Sequence, residues 1–165
     1  MHQNTLWPEE KTERYALMRN ILASLIEGGP PIAALSNAAA LLWEAMPDIN
    51  WAGFYLLKGN VLHLAPFQGK TACTAIPVGR GVCGTAAAAR AVQLVKDVHQ
   101  FPGHIACDSA SNSEIVLPLI KDGILLGVMD IDSPKLARFD ERDAEGLRAL
   151  CILLTECIDW SNGLL

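Results

Sequence analysis

Between Glu9 and Glu27 the apolar residues Tyr15, Met18, Leu22 and Leu25 recur at helical spacing, with Glu and Arg between them. That period predicts an amphipathic helix. Gly28-Gly29-Pro30-Pro31 stops it, and Pro31 opens a second helix, because proline suits a first helical position whose N–H has no partner. Ile32, Leu35, Leu42 and Met46 are expected on one face of that helix, and Pro47 ends it. From Ile49 to Leu57 the chain is apolar and aromatic on both faces, as a central strand requires. Lys58-Gly59-Asn60 predicts a hairpin turn, and Val61 to Phe67 the returning strand. Pro66 has no N–H to donate, which places it at a sheet edge or a strand end.

Cys73 to Val78 predicts a shorter strand, Cys83 to Arg90 a short alanine-rich helix, and Ala91 to Val95 a brief strand. Lys96 to Ser113 has no apolar periodicity and is expected to be a long loop, a class that often carries function. Glu114 to Ile120 and Ile124 to Ile131 form the clearest hairpin, joined at Asp122-Gly123. Asp140 caps a final helix with Asp143 as its capping-box partner, and Leu147, Leu150, Leu154 and Ile158 are its buried stripe. Helix, helix, antiparallel strands, helix is an α+β order, a sheet with helices packed on it. One domain is expected over 1–165, with 1–8 as an N-terminal extension.

Composition narrows the partners. Of 165 residues, 51% are hydrophobic and 19% charged, enough for a sizeable core, and the net charge is -5. Basic residues are scattered, which excludes sequence-independent nucleic-acid binding. No apolar run approaches the roughly 20 residues of a membrane helix, and no secretory signal is visible, so the expected location is cytoplasmic. The five cysteines include no Cys-x-x-Cys pair, and no His-x-x-x-His exists. A structural zinc site, for example from Cys73, Cys83, Cys107 and His99 or His104, is therefore poorly supported, and no metal is expected. In a reducing compartment such thiols are redox-active or buried.

Cys73, Cys83 and Cys107 sit among glycines, prolines and polar residues, where a reactive thiol finds access and a partner. Cys73 and Cys107 are the stronger candidates. Cys83 begins a short helix, whose dipole favours a thiolate, but its neighbours are small or apolar. Cys151 and Cys157 lie along the last helix and are expected to be small buried hydrophobes. Asp130 and Asp132 point to one face of their strand, and the hairpin brings Glu114 beside them, so the three acids converge next to the Cys107 loop. A buried acid needs a partner, and a cationic ligand group is a natural one. Trp51 and Tyr55 share a face of the first strand; packing is the default role, a ligand wall the alternative. Gly79-Arg80-Gly81-Val82-Cys83-Gly84 matches the dinucleotide fingerprint, with Asp97 downstream, but lacks the parallel βαβ context; a tight backbone turn is the better reading.

Taken together, Asn50-Trp51-Ala52-Gly53-Phe54-Tyr55, Phe67-Gln68-Gly69-Lys70-Thr71-Ala72-Cys73, Ile76 to Gly84, His104-Ile105-Ala106-Cys107-Asp108 and Met129-Asp130-Ile131-Asp132-Ser133-Pro134 resemble the free methionine-(R)-sulfoxide reductases, single-domain enzymes with the GAF fold. The resemblance runs from about Thr12 to the last helix. It implies a GAF-like domain with a central antiparallel sheet of about six strands. It implies Cys107 as catalytic cysteine, Cys73 as main resolving cysteine and Cys83 as a second thiol for exchange. Glu114, Asp130 and Asp132 are implied as substrate-binding acids, with Trp51 and Tyr55 as the pocket's aromatic wall. The implied activity is reduction of free methionine sulfoxide through a Cys107 sulfenic acid and a disulfide. One of the three acids supplies the proton, and thioredoxin is the recycling partner. No cofactor is implied beyond that external thiol, and a homodimer is the usual state. The alternative is a non-catalytic GAF domain that senses a small ligand or redox state.

Overall fold

A computed structural model describes residues 6–27, 29–105 and 108–161. Helices α1 (Lys11–Ile26) and α2 (Pro31–Ala45) lead into strands β1 (Trp51–Lys58), β2 (Val61–Gly69) and β3 (Ala75–Pro77). Helix α3 (Gly81–Ala89), strand β4 (Gln93–Val95), the hairpin β5 (Ser113–Lys121) and β6 (Ile124–Ser133), and helix α4 (Glu141–Cys157) follow. The strands form one sheet in the order β3-β2-β1-β6-β5-β4, and every pair is antiparallel. This is the α+β six-stranded sheet that the sequence implied.

Strand alternation divides the core in two. Ala52, Phe54, Ile115, Leu117, Met129 and Ile131 face α1, α2 and α4. Trp51, Tyr55, Val116 and Val128 face the opposite way, toward Val82, Cys83 and Ala86 of α3. Both sheet faces are thus covered, which is why β1 reads as apolar throughout.

The helix faces differ in detail from expectation. Tyr15, Met18 and Leu22 are buried, but Leu25 is 51% exposed and Ile26 takes its place. Both positions flank the 3.6-residue stripe, and only the packing partner chooses between them. Ile32 is likewise 48% exposed. The inner face of α2 is built instead from Ala34, Leu35, Ala38, Ala39, Leu42 and Ala45. Its alanines escape a reading by periodicity because a methyl group carries little hydropathy signal.

The turns follow their chemistry. Asp122 (φ 51°) and Gly123 (φ 76°) both take positive φ, as a type I′ hairpin turn requires. Pro66 lies where the β1–β2 register shifts between Gly53 and Tyr55, a bulge that spares it a ladder bond. Strand β3 is shorter than expected, so Cys73 lies before it in a connecting segment. The long 96–112 connection contains a 3-10 turn, Val98–Gln100, capped by Asp97.

Helix α4 starts on a full capping box. Asp140 Oδ1 accepts from the amides of Arg142 and Asp143, and Asp143 Oδ2 accepts from the Asp140 amide at 2.9 Å. Asp143 is also the hub that fixes α1 to α4. It accepts from Tyr15 Oη at 2.8 Å, Lys11 Nζ at 2.6 Å and Arg138 Nη1 at 3.4 Å. No helix among the described residues is long and apolar enough to cross a membrane.

Candidate active site

The β5–β6–β1 register sets the site. Glu114 pairs with Asp132, and Asp132 with Trp51, in one row across three strands. Val116, Asp130 and Gly53 make the next row. All these positions share the α3 face, so Glu114, Asp130 and Asp132 converge there beside Trp51 and Tyr55. The three acids and both aromatics line one cavity with Cys83, His104, Ile105, Asp108 and Ser111. Trp51 stacks on Tyr55 and on Phe67, with centroids 5.8 and 5.3 Å apart.

Helix α3 closes the cavity from the opposite side. Its approach depends on the glycine-rich turn: the Gly79 amide donates to the Gly84 carbonyl at 2.7 Å, and a Cβ on Gly84 would sit 2.5 Å from the Pro77 carbonyl oxygen. Only glycine fits there. In an antiparallel sheet this motif is a turn, and Asp97 is used locally, accepting from the His99 amide. The dinucleotide fingerprint is thereby excluded.

Hydrogen bonds tie the two cysteine-bearing segments to β1. Trp51 Nε1 donates to the Lys70 carbonyl and Tyr55 Oη to the Cys73 carbonyl, each at 3.1 Å. Asn50 Nδ2 donates to Asp108 Oδ2 at 3.1 Å and to Ser111 Oγ at 3.0 Å. Lys70 Nζ reaches Asp108 Oδ1 at 3.4 Å, joining one segment to the other. The sequence does not single out Asn50, Lys70, Asp108 or Ser111 as site residues. Asn50, Lys70 and Asp108 stand inside the motif strings without a role of their own, and Asp108 and Ser111 fall in the polar run of the long loop.

Burial dominates the electrostatics. It raises the Asp130 carboxyl to about 6, offset in part by hydrogen bonding from Cys83 and Glu114. Asp132 is pushed well up, first by burial and then by the neighbouring charges of Asp130 and Asp108. Asp108 goes the other way, held low by the Ala110 amide that it accepts. His104 Nε2 lies 3.7 Å from Glu114 Oε2, and burial lowers the imidazole pKa, so the pair is at most weakly ionic at neutral pH. Among the described residues, Asp130 Oδ1 is buried without a hydrogen-bond partner.

The cysteines sort by environment. Cys107 lies outside the described residues. Cys73 is half-buried. Cys83 is the third residue of α3 and buried, and burial together with the charges of Asp130 and Glu114 pushes its thiol well up. Desolvation and two carboxylates therefore overcome the helix dipole at Cys83. Cys151 is buried as expected, its Sγ 4.0 Å from Met129 Sδ and its pKa pushed up to about 12. Cys157 is exposed, against expectation, because α4 ends there and turns it outward. His99 pairs with Asn112 at 2.9 Å.

An acid-lined cavity between an antiparallel sheet and a short helix defines the class, and a family model described as "GAF domain" matches residues 33–159. A protein of Escherichia coli (strain K12) named free methionine-R-sulfoxide reductase is 54% identical over 90% of each chain. A Saccharomyces cerevisiae protein of the same name is 50% identical over 76% of this chain and 74% of that one. A Neisseria meningitidis free methionine-R-sulfoxide reductase, solved in complex with its substrate, superposes with a TM-score of 0.91 at 44% identity, covering 98% of both chains. The chain belongs to the free methionine-R-sulfoxide reductases of the GAF fold.

Proposed function

We propose that the protein reduces free L-methionine-(R)-S-oxide to L-methionine by thiol chemistry. One observation carries the proposal beyond the resemblance: buried Glu114 and Asp130 meet half-buried Asp132 on one face, and one oxygen of Asp130 has no partner among the described residues. Such an atom costs about 1–3 kcal/mol until a donor reaches it. The α-ammonium of a free amino acid or a protonated sulfoxide oxygen is such a donor.

The Cys107 thiolate attacks the sulfoxide sulfur. A protonated carboxyl of the Asp130–Asp132 pair gives its proton to the departing oxygen, which ends on Cys107 as a sulfenic acid. The substrate sulfur gains the two electrons that Cys107 loses. The Cys73 thiol then condenses with the sulfenic acid, releasing water and leaving a disulfide. Cys83 is a second thiol for exchange. A dithiol of the thioredoxin type reduces the disulfide and is itself oxidised. Every step uses this chain's residues and an external thiol.

Preference for the free amino acid follows from the acids. A peptide-bound residue lacks the ammonium, and an unfilled charged contact costs several kcal/mol. A cytoplasmic location and a homodimer are part of the same proposal.

The decisive experiment is consumption of free methionine sulfoxide with dithiothreitol, resolved by epimer, for wild type and Cys107→Ser. Loss of the R epimer alone, absent in the variant, is expected. A peptide-bound sulfoxide reduced as fast as the free amino acid overturns the substrate assignment.

A further inference from the structure

The buried face also has the donor set of a metal site. Cys83 Sγ, a Glu114 carboxylate oxygen and an Asp130 carboxylate oxygen all lie within 4.8 Å of one another. All three residues are buried. Ligands tetrahedrally placed around zinc at about 2.0–2.3 Å stand roughly 3.3–3.8 Å apart, so small side-chain rotations bring these atoms onto one ion. Independently, Asp130 is 6% exposed and its Oδ1 has no partner among the described residues. His104 lines the same cavity, with Nε2 3.7 Å from Glu114 Oε2, but is not within reach of all three of these atoms.

We propose that Cys83, Glu114 and Asp130 form a three-residue site for a thiophilic divalent cation of the zinc class, with water in its open position, and that a cation held there blocks the pocket. The site comes from α3, β5 and β6, so no sequence spacing announces it. One thiolate and two carboxylates over-neutralise a divalent charge, and the sulfur selects zinc or cadmium over magnesium or calcium. Binding forms an Sγ–metal bond and sends the Cys83 proton to solvent; no electron is transferred. The cation would sit among the acids assigned above to the substrate, so the blocking half rests on that assignment.

The test uses the full-length reduced protein and zinc chloride alone, in competition with a chromogenic chelator, with the cadmium–thiolate ultraviolet band as a second readout. One equivalent is expected to bind. Outer-shell changes at zinc sites cost about 10–100-fold in affinity, so losing a direct ligand in Cys83→Ser or Asp130→Asn weakens binding at least tenfold. Cys157→Ser leaves it unchanged, and magnesium does not compete. Absence of zinc binding, unchanged binding in both ligand variants, or loss in Cys157→Ser overturns the site. Should Cys83→Ser fail to fold, Asp130→Asn decides. Binding is read without substrate, so a failure of the proposed activity leaves the zinc titration unaffected. Zinc that binds but does not slow turnover removes the blocking half.

Discussion

Burial raises the Asp130 carboxyl to about 6, against an ordinary value of 3.8. The group is neutral in both folded and unfolded chains at low pH, where it costs nothing. As pH rises from about 4 to 6 the unfolded chain ionises first, and stability falls. Above that range the folded protein carries the full penalty of a buried carboxylate. Asp130→Asn keeps the shape and removes the charge. In metal-free protein it is expected to stabilise the fold by roughly 1–3 kcal/mol at pH 8 and to have little effect at pH 4. Denaturant melts at both pH values measure this. The same variant is expected to reduce free methionine sulfoxide several-fold more slowly, since one member of the Asp130–Asp132 pair is gone and the charge that helps keep Asp132 protonated goes with it. Equal stability of the two proteins at pH 8 would remove the basis for both claims. Asn50 acts from just ahead of β1. Asn50→Ala loses the bonds to Asp108 and Ser111, on the segment that follows Cys107. Its turnover number is expected to fall several-fold with secondary structure unchanged, by steady-state assay and circular dichroism.

Among the elements, the β5–β6 hairpin and α4 are the most legible in the sequence. Asp122-Gly123 specifies its own turn, and that turn fixes the register that sets Glu114 opposite Asp132. Convergence of the acids can therefore be read from the chain itself. Strand β3 and the inner face of α2 cannot, because a three-residue strand has no period and alanines give no stripe. Nor can the loop tethers, which depend on which backbone carbonyl comes within reach. The cap of α4 shows how unequal neighbouring acids are. Asp140 is exposed, and Asp140→Ala is expected to cost about 1 kcal/mol. Asp143 is buried beneath Tyr15, Lys11 and Arg138. Asp143→Ala leaves the buried Tyr15 hydroxyl and the partly buried Lys11 and Arg138 without this acceptor and is expected to cost about 2–3 kcal/mol. Equal melting shifts for the two variants would mean that the α1–α4 hub contributes little.

At the scale of the whole molecule, both sheet faces are covered, and that seals Cys83 and Cys151. The motif strings put three cysteines among glycines, prolines and polar residues, but burial depends on how α3 lies against β5 and β6, which no local pattern encodes. Cys83 is sealed for that reason, and Cys157 is exposed because the helix bearing it runs out. The two sealed thiols are also the ones whose ionisation is pushed up, Cys83 by desolvation and nearby carboxylates, Cys151 by desolvation. Reaction with an aromatic disulfide needs both access and thiolate. Among Cys73, Cys83, Cys151 and Cys157, the expected order in native protein is therefore Cys157 first, Cys73 next, and the other two only at the rate of opening. Mass-resolved labelling over time distinguishes them. Added denaturant is expected to accelerate Cys83 and Cys151 by orders of magnitude while barely changing Cys157. If Cys83 labels as fast as Cys73 in the native protein, α3 does not close the cavity in solution, and the raised acids beneath it lose the burial that raises them.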